Sequence, residues 1–151
     1  MTTTQITLSD PLYGASFPQA VSRFFRKYAT FGGRASRSEY WWWVLANVLV
    51  AAAFNLVGSL IDPQWTSRPI DVFSPFASGG AFALASPVGA AFLIYATAIL
   101  IPALALTWRR LHDTDRSGAW FFIVFVPIVG AIVLLVFTLL SARPAGARFD
   151  E

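Results

Sequence analysis

The sequence predicts an all-α integral membrane protein: three transmembrane helices preceded by an amphipathic helix lying in the membrane interface. Three observations carry this expectation. The 151 residues are 56% hydrophobic and only 13% charged, whereas soluble domains hold about 45–50% apolar and about 25% charged residues. Three stretches, 41–61, 88–108 and 119–140, contain no charged residue, and about 20 apolar residues suffice to cross a ~30 Å hydrocarbon core. The 11 Lys and Arg residues cluster in the segments that flank those stretches.

Residues 1–16 are polar and read as a mobile tail. The first twenty residues lack the basic start and apolar core of a cleavable signal, so the first span is expected to act as its own insertion signal. Residues 17–31, "FPQAVSRFFRKYATF", place Phe17, Val21, Phe24, Phe25 and Tyr28 at helical spacing. Arg23, Arg26 and Lys27 fall on the other side, which is the pattern of an interfacial amphipathic helix.

Residues 32–140 form the membrane domain, with spans at 41–61, 88–108 and 119–140, and residues 141–151 form a C-terminal tail. Pro102 and Pro127 each remove a helical hydrogen bond and are expected to bend their spans. Asn47, Ala51, Asn55 and Ser59 make a stripe of small and polar residues on span one, suited to close helix packing. The loop between spans one and two is rich in Pro, Gly and Ser and reads as irregular, with a short surface helix near "FALA".

Orientation follows from the flanking positive charge. Five Lys or Arg precede span one, one lies between spans one and two, three between spans two and three, and two follow span three. The N-terminus and the loop 109–118 are therefore expected on the cytoplasmic side, with the loop 62–87 outside. Three spans place the tail outside as well, against the preference of Arg143 and Arg148. Trp41, Trp42, Trp43, Trp108 and Trp120 fall at the expected cytoplasmic ends and read as interface anchors. Anionic lipid headgroups are the expected counter-ions of this basic chain, and nucleic acid is not an expected partner.

Two charged motifs share that boundary. One is "FGGRASRSEYWWW", with Arg34, Arg37 and Glu39; the other is "RRLHDTDRSG", with Arg109, Arg110, His112, Asp113, Asp115 and Arg116. Glu39 also favours the positive end of the helix it begins. Glu39 with Arg109 or Arg110, and Arg34 and Arg37 with Asp113 or Asp115, are expected to form an ion-pair network that locks the two loops together. Arg109 and Asp113, four apart, can pair along one helix end.

These two motifs, with "IPALALTW" before and "AWFFIVFVPIVG" after the second, resemble the domain-of-unknown-function 805 family of small bacterial inner-membrane proteins. Gly33, Arg34, Arg37, Glu39, residues 109–113 and Ser117-Gly118 carry the likeness, which covers residues 21–149. The tail keeps Pro144 and Phe149 of the family's ending but has Ala145, Ala147 and Asp150 where Gly, Asn and Gly would stand. The N-terminal segment resembles actinobacterial members. The resemblance implies a location in the bacterial cytoplasmic membrane and brings no activity with it.

The residues themselves argue weakly for catalysis. Adjacent helical side chains diverge by about 100°, so Asp113 is badly placed to orient His112 as a base. A metal held by His112, Asp113 and Asp115 would compete with neighbouring arginines for the same carboxylates. With zero cysteines, thiolate chemistry is excluded. No catalytic residue, metal or cofactor is expected. The preferred reading is a non-enzymatic accessory or scaffold protein, with a membrane-protein partner or a second copy as its associate; the alternative is an anionic lipid-headgroup binder, with a metal-dependent membrane enzyme behind it.

Overall fold

A computed structural model describes residues 10–61 and 86–150. Those residues are all-helical, with no strand among them. The helices are α1 (Phe17–Arg26), α2 (Arg37–Ile61), α3 (Pro87–Asp113) and α4 (Val129–Leu139), with 3-10 segments at Gly118–Phe125 and Pro144–Phe149. The short helix expected near "FALA", together with Trp65 and Arg68, lies outside the described residues.

Helices α2 and α3 are long and apolar enough to cross a membrane. Each begins or ends beyond the uncharged run that announced it. α2 starts four residues before Trp41 because Ser36 and Glu39 cap it reciprocally: the Ser36 amide donates to Glu39 Oε2 at 2.9 Å and the Glu39 amide to Ser36 Oγ at 3.2 Å. This is a capping box, which satisfies two otherwise orphaned helix amides. α3 runs through Pro102 without a break and carries its last turn through Arg109–Asp113.

The expected third helix over 119–140 is not one helix. A 3-10 segment ends at Phe125, and α4 begins only at Val129. Pro127 explains the interruption. The residue before a proline is pushed out of the helical region, and Val126 is extended at φ −84°, ψ 109°. Ile128 then adopts φ 65°, ψ −62°, and the Val129 amide donates to the Pro127 carbonyl at 2.7 Å. That is a γ-turn, a tight and strained reversal, and it sends the chain back along itself.

The chain divides into two compact units, residues 44–100 and residues 1–43 with 101–151. In the first, Ala51, Phe92 and Ala96 form a buried core with Phe54 and Tyr95 packed on it. The Tyr95 hydroxyl donates to Asn47 Oδ1 at 2.9 Å, while Asn55 donates to the Ala51 carbonyl of its own helix. The polar stripe thus divides its work between crossing to α3 and folding back on α2.

In the second unit α1 stops at Arg26, short of the expected residue 31, and a turn follows through Ala29. Its buried side chains are Ala20 and Phe24, and the Phe24 ring stacks on Trp43. The charged side of α1 is not wholly turned to solvent. Lys27 is buried, and Arg23 forms an ion pair with Glu39. The tail expected to be mobile over 1–16 is held in its described part. Leu12 donates its amide to Glu39, Ala15 donates to Ser38, and the Ser36 hydroxyl donates to the Leu12 carbonyl at 2.6 Å.

Candidate functional site

The last turn of α3 is the centre of the second unit, and its charged side chains are among the most deeply buried in the protein. Arg109 and Arg110 are adjacent and so diverge around the helix. Arg109 reaches the turn after α1, where Nη1 donates to the Lys27 carbonyl at 3.0 Å and the Thr30 carbonyl at 2.6 Å. Its own carbonyl accepts from the Ala35 amide at 3.1 Å.

Arg110 is 0% exposed. Its Nε donates to the Thr138 carbonyl at 3.0 Å, Nη1 to the Ala35 carbonyl at 3.4 Å, and Nη2 to the Leu140 carbonyl. Nη1 also pairs with the Asp113 carboxylate. Asp113, equally buried, accepts from the Tyr13 hydroxyl at 2.9 Å, and its carbonyl accepts from the Arg143 amide at 2.8 Å. One guanidinium therefore closes the last turn of α4, whose terminal carbonyls have no partner inside the helix, and one carboxylate ties in the N-terminal segment.

His112 completes the node. Its Nδ1 lies 3.1 Å from the Gly33 carbonyl; a carbonyl can only accept, so this nitrogen carries the proton. The ring stacks on Phe149, and the Gly33 amide donates to the Phe149 carbonyl at 2.7 Å. Gly33 has φ 77°, a conformation glycine adopts without a side-chain penalty. Gly146 is buried against the same turn, where an added Cβ would lie 2.4 Å from the His112 carbonyl oxygen.

The remaining charges find partners other than those expected. Glu39 pairs with Arg23, not with Arg109 or Arg110. Arg34 makes a two-pronged pair with Asp150, its Nε donating at 2.9 and 3.0 Å. Asp115, in a left-handed turn at φ 61°, pairs with Arg148 at 3.0 Å. Arg116 covers the Phe137 ring, 4.1 Å from its centroid. Arg37 is exposed; it lines a pocket of 310 Å³ together with Tyr13, Ser36, Ser38, Asp113 and Ala142. Lys27 sits beside Arg23 and Arg109, and burial first, then Arg23, pushes its pKa down to about 8.

The tryptophans separate by role. Trp43 is buried against Phe24, Trp41 meets Tyr40 edge-on, and Trp108 meets Phe31 and Phe122 in the same way. Trp42 and Trp120 keep much of their surface exposed, although Trp42 Nε1 donates to the Ala15 carbonyl at 2.9 Å. Among the described residues no three of His, Asp or Glu converge as a metal-binding group.

Several members of this site escape sequence reasoning: Tyr13, Arg23, Thr138, Gly146, Phe149 and Asp150. The capping box is readable as Ser36-x-x-Glu39 ahead of an apolar run. The retained Pro144 and Phe149 are a signal that the tail is structured. Tyr13 and Thr138 act over long sequence separations and carry no local sign.

Comparison with known proteins gives a consistent picture. The family described as "Protein of unknown function (DUF805)" matches residues 28–151. The chain is 38% identical over 126 residues to the inner membrane protein YhaI of Escherichia coli (strain K12), covering 83% of this chain and 87% of that one. It is 29% identical over 127 residues to inner membrane protein YhaH of the same strain, covering 84% and 89%. It is also 33% identical over 101 residues to the uncharacterized protein YiiR of that strain, covering 64% and 50%. No solved structure matches.

Proposed function

The chain belongs to the DUF805 family of membrane proteins, and from that premise we propose that it is a non-enzymatic accessory or scaffold protein of the bacterial inner membrane. Its charged motifs serve as an internal lock, not as a reactive centre. The observation that carries this reading is the saturation of Arg110: its guanidinium is spent on three backbone carbonyls and one carboxylate. A side chain so engaged has little left for a substrate or a headgroup. Asp113 is likewise occupied by Arg110 and Tyr13, and Asp115 lies within ion-pair distance of Arg148.

The proposed orientation is cytoplasmic for the N-terminal segment and the loop 109–118, following the flanking positive charge. Such a protein meets its partners through the apolar faces that α2 and α3 present to the bilayer, to a second copy or to another membrane protein.

The test compares Arg110→Ala with Asp113→Asn in detergent, reading thermal unfolding beside mass spectrometry of protein taken into lipid discs. A lock predicts marked loss of stability in Arg110→Ala, with bound lipid unchanged per folded molecule. An enzyme would instead show folded, inactive variants.

A second reading rests on Arg37, the exposed cation at the mouth of the 310 Å³ pocket. An anionic headgroup fits its chemistry. If that reading holds, Arg37→Ala loses a bound anionic lipid that wild type retains while its unfolding temperature is unchanged.

A further inference from the structure

Residues 118–140 have the composition of a membrane span, but their two ends lie on one polar cluster. At the start of the segment, Ser117 and Gly118 follow directly on the α3 turn, where Gly118 packs so closely on Trp108 that an added Cβ would meet the indole at 1.9 Å. At its end, the Thr138 and Leu140 carbonyls accept from Arg110, and three residues on, the Arg143 amide donates to the Asp113 carbonyl. The Trp120 and Phe137 rings meet edge-on across the pair, with centroids 5.7 Å apart. Near the far end, Gly130 approaches Ile123 so closely that a Cβ would lie 1.8 Å from its carbonyl oxygen.

The two legs also match in length. Eight 3-10 residues at about 2.0 Å rise and eleven α-helical residues at about 1.5 Å rise each span about 16 Å. That is roughly half of a ~30 Å hydrocarbon core. The γ-turn at Pro127–Val129 joins the legs, and the exposed side chains concentrate around it: Phe125 is 76% and Ile128 78% exposed, with Val126, Val129 and Ile132 beside them. Arg116 and Trp120 stand at the opposite end, the chemistry of a headgroup boundary.

We propose that residues 118–140 are a re-entrant hairpin whose apolar tip is covered by the acyl chains of a single leaflet. It enters and leaves by the face that carries the 109–118 loop. The chain then crosses the bilayer twice, by α2 and α3, and its C-terminal segment returns to the side of the N-terminal one. Charge supports this arrangement independently. With the tail on the loop's side, ten of the 11 Lys and Arg residues share one face, leaving Arg68 alone on the other; three crossings would strand Arg143 and Arg148 there. Non-helical backbone at membrane depth requires its polar groups to be satisfied within the protein, and at the turn the Val126, Val129 and Gly130 amides donate to the Ile123, Pro127 and Val126 carbonyls.

The absence of cysteine makes the test direct. Single Cys variants of the full chain at Ser117, Ala147 and Ser78 are probed in intact cells with an impermeant thiol reagent. Ser117→Cys and Ala147→Cys should behave alike and opposite to Ser78→Cys. A tail that reacts like Ser78→Cys while Ser117→Cys does not would overturn the hairpin. Spin labels at Phe125→Cys and Ile128→Cys, in vesicles of phosphatidylethanolamine and phosphatidylglycerol, should collide freely with oxygen and little with a water-soluble nickel chelate. Strong nickel access would place the tip in water. Dipolar coupling between labels, with oxygen excluded, would place a second copy over it. Either result defeats the lipid assignment.

Discussion

The imidazole of His112 lies flat on the ring of Phe149, with centroids 4.0 Å apart and planes within 7° of parallel. Gly33 bridges the pair, accepting from His112 through its carbonyl and donating to the Phe149 carbonyl through its amide. Three distant stretches of sequence thus meet in one small circuit, and its members should fail together.

Replacing Phe149 by Leu keeps apolar bulk but removes the stack. The ring pair alone contributes about 0.5–1.5 kcal/mol, so the tail should undock more often. Limited trypsin digestion should then cut after Arg148 several-fold faster than in wild type, while the Arg143–Pro144 bond resists trypsin in both. Unchanged cleavage would show that the stack does not hold the tail.

Gly146→Ala should act more strongly at the same place. The new methyl meets the His112 carbonyl, a backbone atom that cannot swing aside, and overpacking of this kind costs about 1–3 kcal/mol. Ala147→Gly, at an exposed position one residue on, should be nearly silent in the same melting assay. Equal effects from the two changes would count against the docked tail.

Glu39 can be dissected by two substitutions. Glu39→Gln gives up the Arg23 ion pair while its amide oxygen can still accept from the Ser36 and Leu12 amides. Glu39→Ala gives up both the pair and the cap, and loss of a cap interaction costs about 0.5–2 kcal/mol. Stability should fall in the order wild type, Gln, Ala. A Gln variant as poor as Ala would assign the whole effect to charge.

Lys27 provides a pH dependence with a definite sign. Its folded pKa of about 8 lies below the ordinary 10.5. Below about pH 8 both folded and unfolded chains hold the proton, and the folded state bears the full burial penalty. Between these two values the unfolded chain binds more protons, so stability rises with pH across that window. Chemical denaturation from about pH 7 to about pH 10 should show the rise, and Lys27→Met should remove most of it. A flat difference between the two proteins would show that Lys27 is not buried as a cation.

Much of this architecture is legible in the residues. The uncharged runs 41–61 and 88–108 locate α2 and α3, because length and apolarity are local properties. Each run understates its helix, since Ser36–Glu39 and Arg109–Asp113 are helical by capping and burial and not by hydropathy. The run 119–140 misleads for the opposite reason. Its composition is that of a span, while Pro127 and the extended Val126 before it decide its path. Sequence alone reads Pro127 as a bend in a continuing helix, and the reversal depends on Gly130 meeting Ile123, a tertiary contact.

The charged motifs are legible as a place but not as a pairing. Sequence spacing offers Arg109 to Glu39 and Arg34 to Asp113. The folded chain instead gives Arg109 to backbone carbonyls and Arg34 to Asp150, more than a hundred residues away in sequence. Tyr13 reaches Asp113 across 100 positions. No local pattern encodes contacts of that range.

The reach of Arg110 and Asp113 also sets a timetable for synthesis. Their partners come from residues 13, 35, 138, 140 and 143, so the knot cannot close until nearly the whole chain has left the ribosome. At about 5–20 residues per second, the guanidinium of Arg110 waits seconds after its own translation before the carbonyls of α4 arrive. During that interval the cation has only Asp113 and the Ala35 carbonyl to meet it, and its Nε and Nη2 wait for the Thr138 and Leu140 carbonyls. A truncation anywhere before residue 138 would prolong it indefinitely.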